Sequence, residues 1–295
     1  MDRYDRAKFG AMVGIFGNIL LGVLKLVVGV FGKSTALIVD SFHSFSDTVS
    51  SVIVLLGIEI ASKPEDPDHP YGHGKAESIA AWAISSFLIC LGAYLGFSAF
   101  RDVASREALS APAQATLWVA LFSVLCKEGM YQYKVRLGKK IHSTSITVDA
   151  WHHRSDALSS VVAFGGIALA EYGGGRFAYA DRVAAVIIAL MICWVGVMML
   201  RQSTSELMDG VVDQEVRDRI RSIALSIPGV KDIEKILVRK AGLHYLANIH
   251  VEVDKDMSVE KSHHIATEVK NAIRQSFPEV SYVLVHIEPY YPGDH

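Results

Sequence analysis

Cysteine is scarce in this chain, with Cys90, Cys126 and Cys193 the only three in 295 residues. All sit in apolar runs and none has a second cysteine at metal-motif spacing. That excludes a disulfide framework and a cysteine-built zinc site, and the three read as small buried hydrophobes. Excess charge of either sign is lacking too. The formal net charge is -2, and no basic patch of the kind that holds nucleic acid is present, so no nucleic-acid partner is expected. Nor is there the pattern of a cleavable leader. The opening MDRYDRAKFG carries both signs of charge, and the apolar run after it is too long for a signal-peptide core and has no small-residue cleavage site. It reads as a retained membrane helix.

What the chain does have is apolar sequence, unevenly spread. Hydrophobic residues make up 51% and charged ones 20%. Up to about Leu200 long apolar runs dominate; from Arg201 charged and apolar residues alternate as in a soluble domain. The expected division is a membrane domain over 1–208 and a small soluble domain over 209–295. A helix needs about 20 apolar residues to cross a bilayer. Six stretches qualify: Phe9–Phe31, Thr35–Ala61, Ala76–Phe100, Ala113–Tyr133, Ser145–Tyr172 and Ala178–Arg201. Buried core helices of a soluble protein are the alternative, and six such runs in succession argue against it. Six spans put both termini on one side. Arg3, Arg6, Lys8, Lys63, Lys75, Lys134, Arg136, Lys139 and Lys140 fall on that side, against Lys33, Arg101, Arg106, Arg176 and Arg182 on the other. The positive-inside rule then places both termini in the cytoplasm, and the expected location is the cell (inner) membrane.

The second and fifth spans share a motif. Val39-Asp40-Ser41-Phe42-His43-Ser44-Phe45-Ser46-Asp47 aligns without gaps on Val148-Asp149-Ala150-Trp151-His152-His153-Arg154-Ser155-Asp156. Both read V-D-x-aromatic-H-x-x-S-D, and Ser50-Ser51-Val52 continues against Ser159-Ser160-Val161. Residues four apart on a helix lie on one face. His43 therefore stacks with Asp47, and His152 with Asp156. Ionisable groups at membrane depth cost about 2.5–3.5 kcal/mol each on insertion scales, so four of them need a compensating partner. Two imidazoles and two carboxylates form a complete tetrahedral set for zinc. A proton relay or a metal-free polar cluster is the alternative. Asp40 and Asp149 share the same faces and read as groups that orient the ligands or pass protons.

Two further groups stand outside the spans. The loop Lys63-Pro64-Glu65-Asp66-Pro67-Asp68-His69-Pro70-Tyr71-Gly72-His73 is rich in proline and acid. His69 and His73, with Asp66 or Asp68, could bind a second metal; a rigid polar turn with solvated histidines is the alternative. After Asp213 the pattern predicts a helix to Ile227, strands over Val230–Val238 and Leu243–Val253, a helix over Ser258–Ser276 and a strand over Val280–Ile287. This α-β-β-α-β order packs as a small sheet with helices on one face. His244 and His250 share a strand face, as do His286 and Glu288.

The paired His-x-x-x-Asp in spans two and five, with Tyr71-Gly72-His73-Gly74-Lys75-Ala76-Glu77 leading into span three, resembles the cation diffusion facilitator family over nearly the whole chain. The resemblance implies a homodimeric exporter that exchanges a divalent metal for protons. Its expected fold is an all-α six-helix membrane domain followed by a cytoplasmic α+β domain of metallochaperone-like fold. It implies a loop metal site at Asp66, His69 and His73, and a charge link between Lys75 and Asp209 at the hinge. It also implies a regulatory metal site at His250, His263, His286 and Glu288. Lys231 stands where the family carries a further histidine, which argues against a fully formed two-metal site there. The alternative for the C-terminal group is surface histidines on a dimerisation domain. The His/Asp, His/Asp set resembles the zinc-preferring pattern, so Zn2+ is the expected substrate and regulatory ligand, with protons as counter-ion. Cobalt, nickel, cadmium, iron and manganese remain open, because the Irving–Williams order makes affinity a poor guide to what a cell moves. A passive cation channel would need a continuous polar lining, and spans one, three, four and six offer little. A metalloenzyme would need an open coordination position and a base beside it, so no enzymatic activity is expected. A non-transporting sensor would leave the membrane repeat unexplained.

Overall fold

All eight prolines fall outside the helices. The long apolar stretches therefore keep every backbone donor that an α-helix needs in a bilayer. The computed structural model describes residues 3–104, 111–141, 144–174, 177–242 and 244–293. Within its helices, the side chains of 3–14, 50, 51, 54, 55, 58, 137–141, 144–153 and 155 lie outside the description. The side chains of Asp149, His152 and His153, and residues Arg106, Arg176 and Leu243, are among those not described.

Six helices open the chain: α1 Arg3–Phe31, α2 Thr35–Ala61, α3 Lys75–Ala104, α4 Gln114–Ile141, α5 Thr144–Tyr172 and α6 Ala180–Leu207. At 1.5 Å per residue each is about 40–45 Å long, enough for a bilayer with its headgroup zones. Among the described residues, α3 and α6 are long and apolar enough to cross a membrane.

The chain forms two compact units, Met1–Ile53 with Ile84–Met198, and Val54–Ala83 with Met199–His295. This differs from a cut at 208/209: the end of α2, the loop after it and the start of α3 group with the C-terminal residues. The packing explains the grouping. A Cβ added at Gly74 would lie 2.5 Å from the Ala241 carbonyl oxygen, so loop and sheet backbones already touch.

In the first unit polar side chains are buried beside apolar ones, and large apolar side chains also face outward. Lys25, Asp40, Ser41, Ser44, Ser85, Ser123, Lys127, Ser159 and Ser160 are fully buried, while Phe16, Leu20, Phe97, Trp118, Leu190 and Trp194 are exposed. Hydrocarbon solvates the outward side chains, and the polar ones satisfy one another inside. Helices α3 and α6 approach closely: a Cβ at Gly92 would lie 2.7 Å from Cys193 Sγ and 3.0 Å from the Ala189 oxygen. At one end of the bundle five helix termini meet. The Ser34 hydroxyl accepts from Leu37 N (3.1 Å) and donates to Asp181 Oδ1 (2.6 Å). Thr35 N donates to Asp181 Oδ2 (2.7 Å), so the first turn of α6 caps the first turn of α2. Ala113 N donates to the Gly32 oxygen (2.9 Å), and Gln114 reaches Tyr172 (3.3 Å). The end of α1, the starts of α2, α4 and α6 and the end of α5 thus lie together.

The second unit contains α7 (Gln214–Leu225), β1 (Asp232–Ala241), β2 (His244–Val253), α8 (Val259–Ser276) and β3 (Val280–Pro289). The sheet order is β1-β2-β3, with β1 antiparallel and β3 parallel to β2. Parallel pairing requires a crossover, which α8 provides; Ser258 caps it by accepting from Lys261 N. Ile220 and Ala224 of α7 and Ile265, Val269 and Ile273 of α8 pack on Ala247, Ile249, Val251 and Val283. The α-β-β-α-β order and the placement of both helices on one face match the expectation from the sequence.

Candidate metal centre

The period of the helix brings the motif together. His43 and Asp47 lie one turn apart on α2, with His43 Nδ1 4.0 Å from Asp47 Oδ1. Asp156 enters from α5, and one ligand atom from each of His43, Asp47 and Asp156 lies within 4.8 Å of the others. The group is enclosed, with His43 8% and Asp156 6% exposed. One nitrogen and two carboxylate oxygens converging inside a helix bundle are the kind of donor set that a divalent cation takes. His152, expected as the fourth ligand, sits one turn before Asp156 on α5, and its side chain is outside the described set.

Two lysines beside this group were not singled out by the sequence. Lys25 on α1 and Lys127 on α4 are both fully buried. Lys127 Nζ donates to the Asp156 carbonyl oxygen at 2.8 Å, on the turn of α5 that carries the ligand. Lys25 Nζ pairs with Asp40 Oδ2 at 2.8 Å. Asp40 is thus committed to an ion pair rather than directly to the ligands. Spans one and four are less plain than their hydropathy suggests. An ionisable residue at membrane depth was the available signal for both lysines.

The loop group forms as a unit too. Asp66 Oδ2 lies 3.3 Å from His73 Nε2, and Asp66 Oδ1 lies 3.2 Å from His69 Nδ1. Asp66, rather than Asp68, is the acid that converges with the two histidines. Backbone donation from His69, then the two nearby imidazoles, holds the Asp66 carboxyl below its ordinary range. His73 Nδ1 lies 3.2 Å from the Pro64 oxygen, an acceptor that calls for the proton on that nitrogen and turns Nε2 toward Asp66.

In the C-terminal sheet, His250 and His286 are direct partners across β2 and β3. His250 Nδ1 lies 2.7 Å and His286 Nε2 3.4 Å from Glu288 Oε1. The three form a ligand group on the sheet face opposite α7 and α8. Glu234 adds a carboxylate 3.8 Å from His250 Nδ1. His263 does not join them among the described residues: it is exposed on α8, which covers the other face. Period-two logic finds residues on one face of a strand but cannot say which face a helix covers.

The expected link between the start of α3 and the end of α6 is present, with Lys75 Nζ 2.9 Å from Asp209 Oδ1. The sheet adds to it in a way the sequence did not suggest. Arg239 of β1 reaches Asp209 Oδ2 (3.1 Å), and Lys240 reaches Glu206 Oε1 (2.9 Å). The Ser78 hydroxyl donates to the other Glu206 oxygen at 2.9 Å.

A helical membrane unit with an enclosed His/Asp group, joined to a small ligand-bearing sheet domain, defines a membrane metal transporter. The family model for the cation efflux transmembrane domain matches residues 11–208, and that for the cation efflux protein cytoplasmic domain matches residues 212–290. The chain belongs to the cation diffusion facilitator family, whose members move divalent metal cations across membranes. It is 34% identical to the manganese efflux system protein MneP of Bacillus subtilis, over 98% of each chain. Identity to metal tolerance protein C1 of Arabidopsis thaliana is also 34%, over 94% of this chain and 61% of that protein. A solved MamM-CTD structure aligns with 26% of this chain and 98% of its own, at 26% identity and a TM-score of 0.26.

Proposed function

We propose that this protein exports a divalent transition metal from the cytoplasm in exchange for protons, by alternating access around His43, Asp47, His152 and Asp156, with zinc as the metal. The observation that carries the reading is the enclosed convergence of His43, Asp47 and Asp156. A donor set with imidazole suits zinc, whereas manganese favours more carboxylates and fewer imidazoles. Metal binding needs neutral imidazole and ionised carboxylate, so loading releases protons and protons from outside displace the metal. Export against an inside-negative potential costs about 2.3 kcal/mol per charge per 100 mV, which coupling to protons would offset. Both termini are cytoplasmic in this reading, in the cell membrane. The chain works as a homodimer, and His250, His286 and Glu288 bind a regulatory metal on its soluble domain. Asp66, His69 and His73 capture metal on the same side.

Manganese is the second reading. Two relatives at 34% and 32% identity are named manganese efflux system proteins. Proteoliposomes with an imposed pH gradient separate the two. Zinc flux that the gradient drives, and that disappears in Asp47→Ala, supports the first reading. Manganese flux without zinc flux keeps the site and changes the substrate. Metal flux indifferent to the pH gradient would sink the exchange mechanism.

A further inference from the structure

The most completely buried charges in the first unit serve neither as metal ligands nor as bundle surface. Lys25 Nζ and Asp40 Oδ2 are 2.8 Å apart, with both side chains fully buried. Lys25 also donates to Ser44 Oγ (3.1 Å) and Ser160 Oγ (3.0 Å), which uses all three ammonium protons. Asp40 accepts from Ser159 on Oδ1 (2.7 Å) and from Ser160 on Oδ2 (2.9 Å). Ser123 of α4 lies 3.3 Å from Ser160 Oγ. One closed polar layer thus joins α1, α2, α4 and α5 with its charges paired and hydrogen-bonded, the condition under which buried ions are tolerated.

The layer has a definite place along the path. Asp40 is three residues nearer than His43 to the start of α2. Ser159 and Ser160 are three and four residues nearer than Asp156 to the end of α5. Those two termini share the end of the bundle where Asp181 caps α2 and Gln114 meets Tyr172. The layer therefore lies between the ligands and that end.

We propose that the Lys25–Asp40–Ser159–Ser160 network is the exit-side gate of the transport path. As it stands, the network seals the ligand group from the end where α1 passes to α2. It also places a buried ammonium–carboxylate pair, closed by hydroxyls, across the way a departing divalent cation must take. The seal opens only when α1 and α5 separate, which trades the buried pair for hydration. A site so closed behaves as a carrier rather than a channel, because metal cannot leave while the layer is intact. The name "exit" rests on the export reading above; the position and closure of the layer do not.

The test uses the full chain in vesicles, with Cys90, Cys126 and Cys193 changed to alanine. Thr48→Cys serves as reporter. Thr48 is buried on the Asp40–Ser44 face of α2, one turn beyond Ser44. A membrane-impermeant methanethiosulfonate is applied from the side where α1 ends. With the native layer, labelling is slow. The volume-matched neutral pair K25M/D40N should label faster by about tenfold or more, a drop of about 1.4 kcal/mol in the barrier, and S160A should fall between. Labelling at the native rate in both, with native melting temperatures, would show that the layer only packs and would overturn the proposal. So would acceleration seen only from the opposite side. Where the neutral pair does not fold, S160A, which lacks a single hydroxyl, decides. Metal flux in the unmutated chain that ignores a pH gradient would remove the exchange reading and leave the labelling result standing.

Discussion

Asp47 and Asp156 reach the same point from different helices, each offering a carboxylate oxygen beside the His43 imidazole. Changing Asp47 to alanine removes one donor of a small set while keeping the helix. Loss of a partner that merely supports a ligand already costs about 10–100-fold in affinity or activity. Metal flux in Asp47→Ala should therefore fall by about 100-fold or more, read as initial metal uptake into proteoliposomes; a loss of less than about tenfold would remove Asp47 from the site. On the proposed reading, the imidazole favours zinc over manganese. His43→Asp exchanges a nitrogen donor for an oxygen and should move the zinc-to-manganese flux ratio toward manganese by about tenfold or more. Competition between the two metals in one vesicle preparation measures that ratio directly.

At the scale of helices and strands, structure rests on ends and close approaches as much as on hydropathy. Asp181 accepts from the Ser34 hydroxyl and from two backbone amides of α2. Asp181→Ala leaves those amides without their acceptor and should cost about 0.5–2 kcal/mol, a typical capping loss, seen as a lowered melting temperature of the solubilised protein. The transport motif was legible because helical period alone places His43 on Asp47, and because the motif occurs twice. The element boundaries were legible because proline and charge mark them. Lys25 and Lys127 were not. A single lysine barely changes the mean hydropathy of a long span, and its partners, Asp40 and the Asp156 carbonyl, lie on other helices. The sequence carries no period that connects them. His263 aligns with a family position, and within this one chain α8 places it on the other face of the sheet from His250 and His286.

At the scale of the whole molecule, Asp209 marks where the second unit holds helix ends and sheet together. It sits directly after α6 with a left-handed backbone, φ 56°, and binds Lys75 of α3 and Arg239 of β1. Hydrogen bonding from Lys75, then from Arg239, holds its carboxyl below the ordinary range. A carboxyl with a depressed folded-state pKa contributes stability that is fully present above its unfolded pKa, about 4. That contribution is lost as pH falls through the lower folded value. Both pairs are partly exposed, so each contributes under about 1 kcal/mol and weakens with salt. Asp209→Asn tests this cleanly, since asparagine tolerates the left-handed conformation but cannot carry the charge. The variant should melt below the unmutated protein at neutral pH, and the gap should close as the pH is taken well below 4 or as salt is raised. Because the pair ties the start of α3 to the end of α6, transport rate should drop in the variant even where metal affinity does not. A variant with unchanged rate and an unchanged melting gap across the acid range would make the link a surface contact without consequence for the transport cycle.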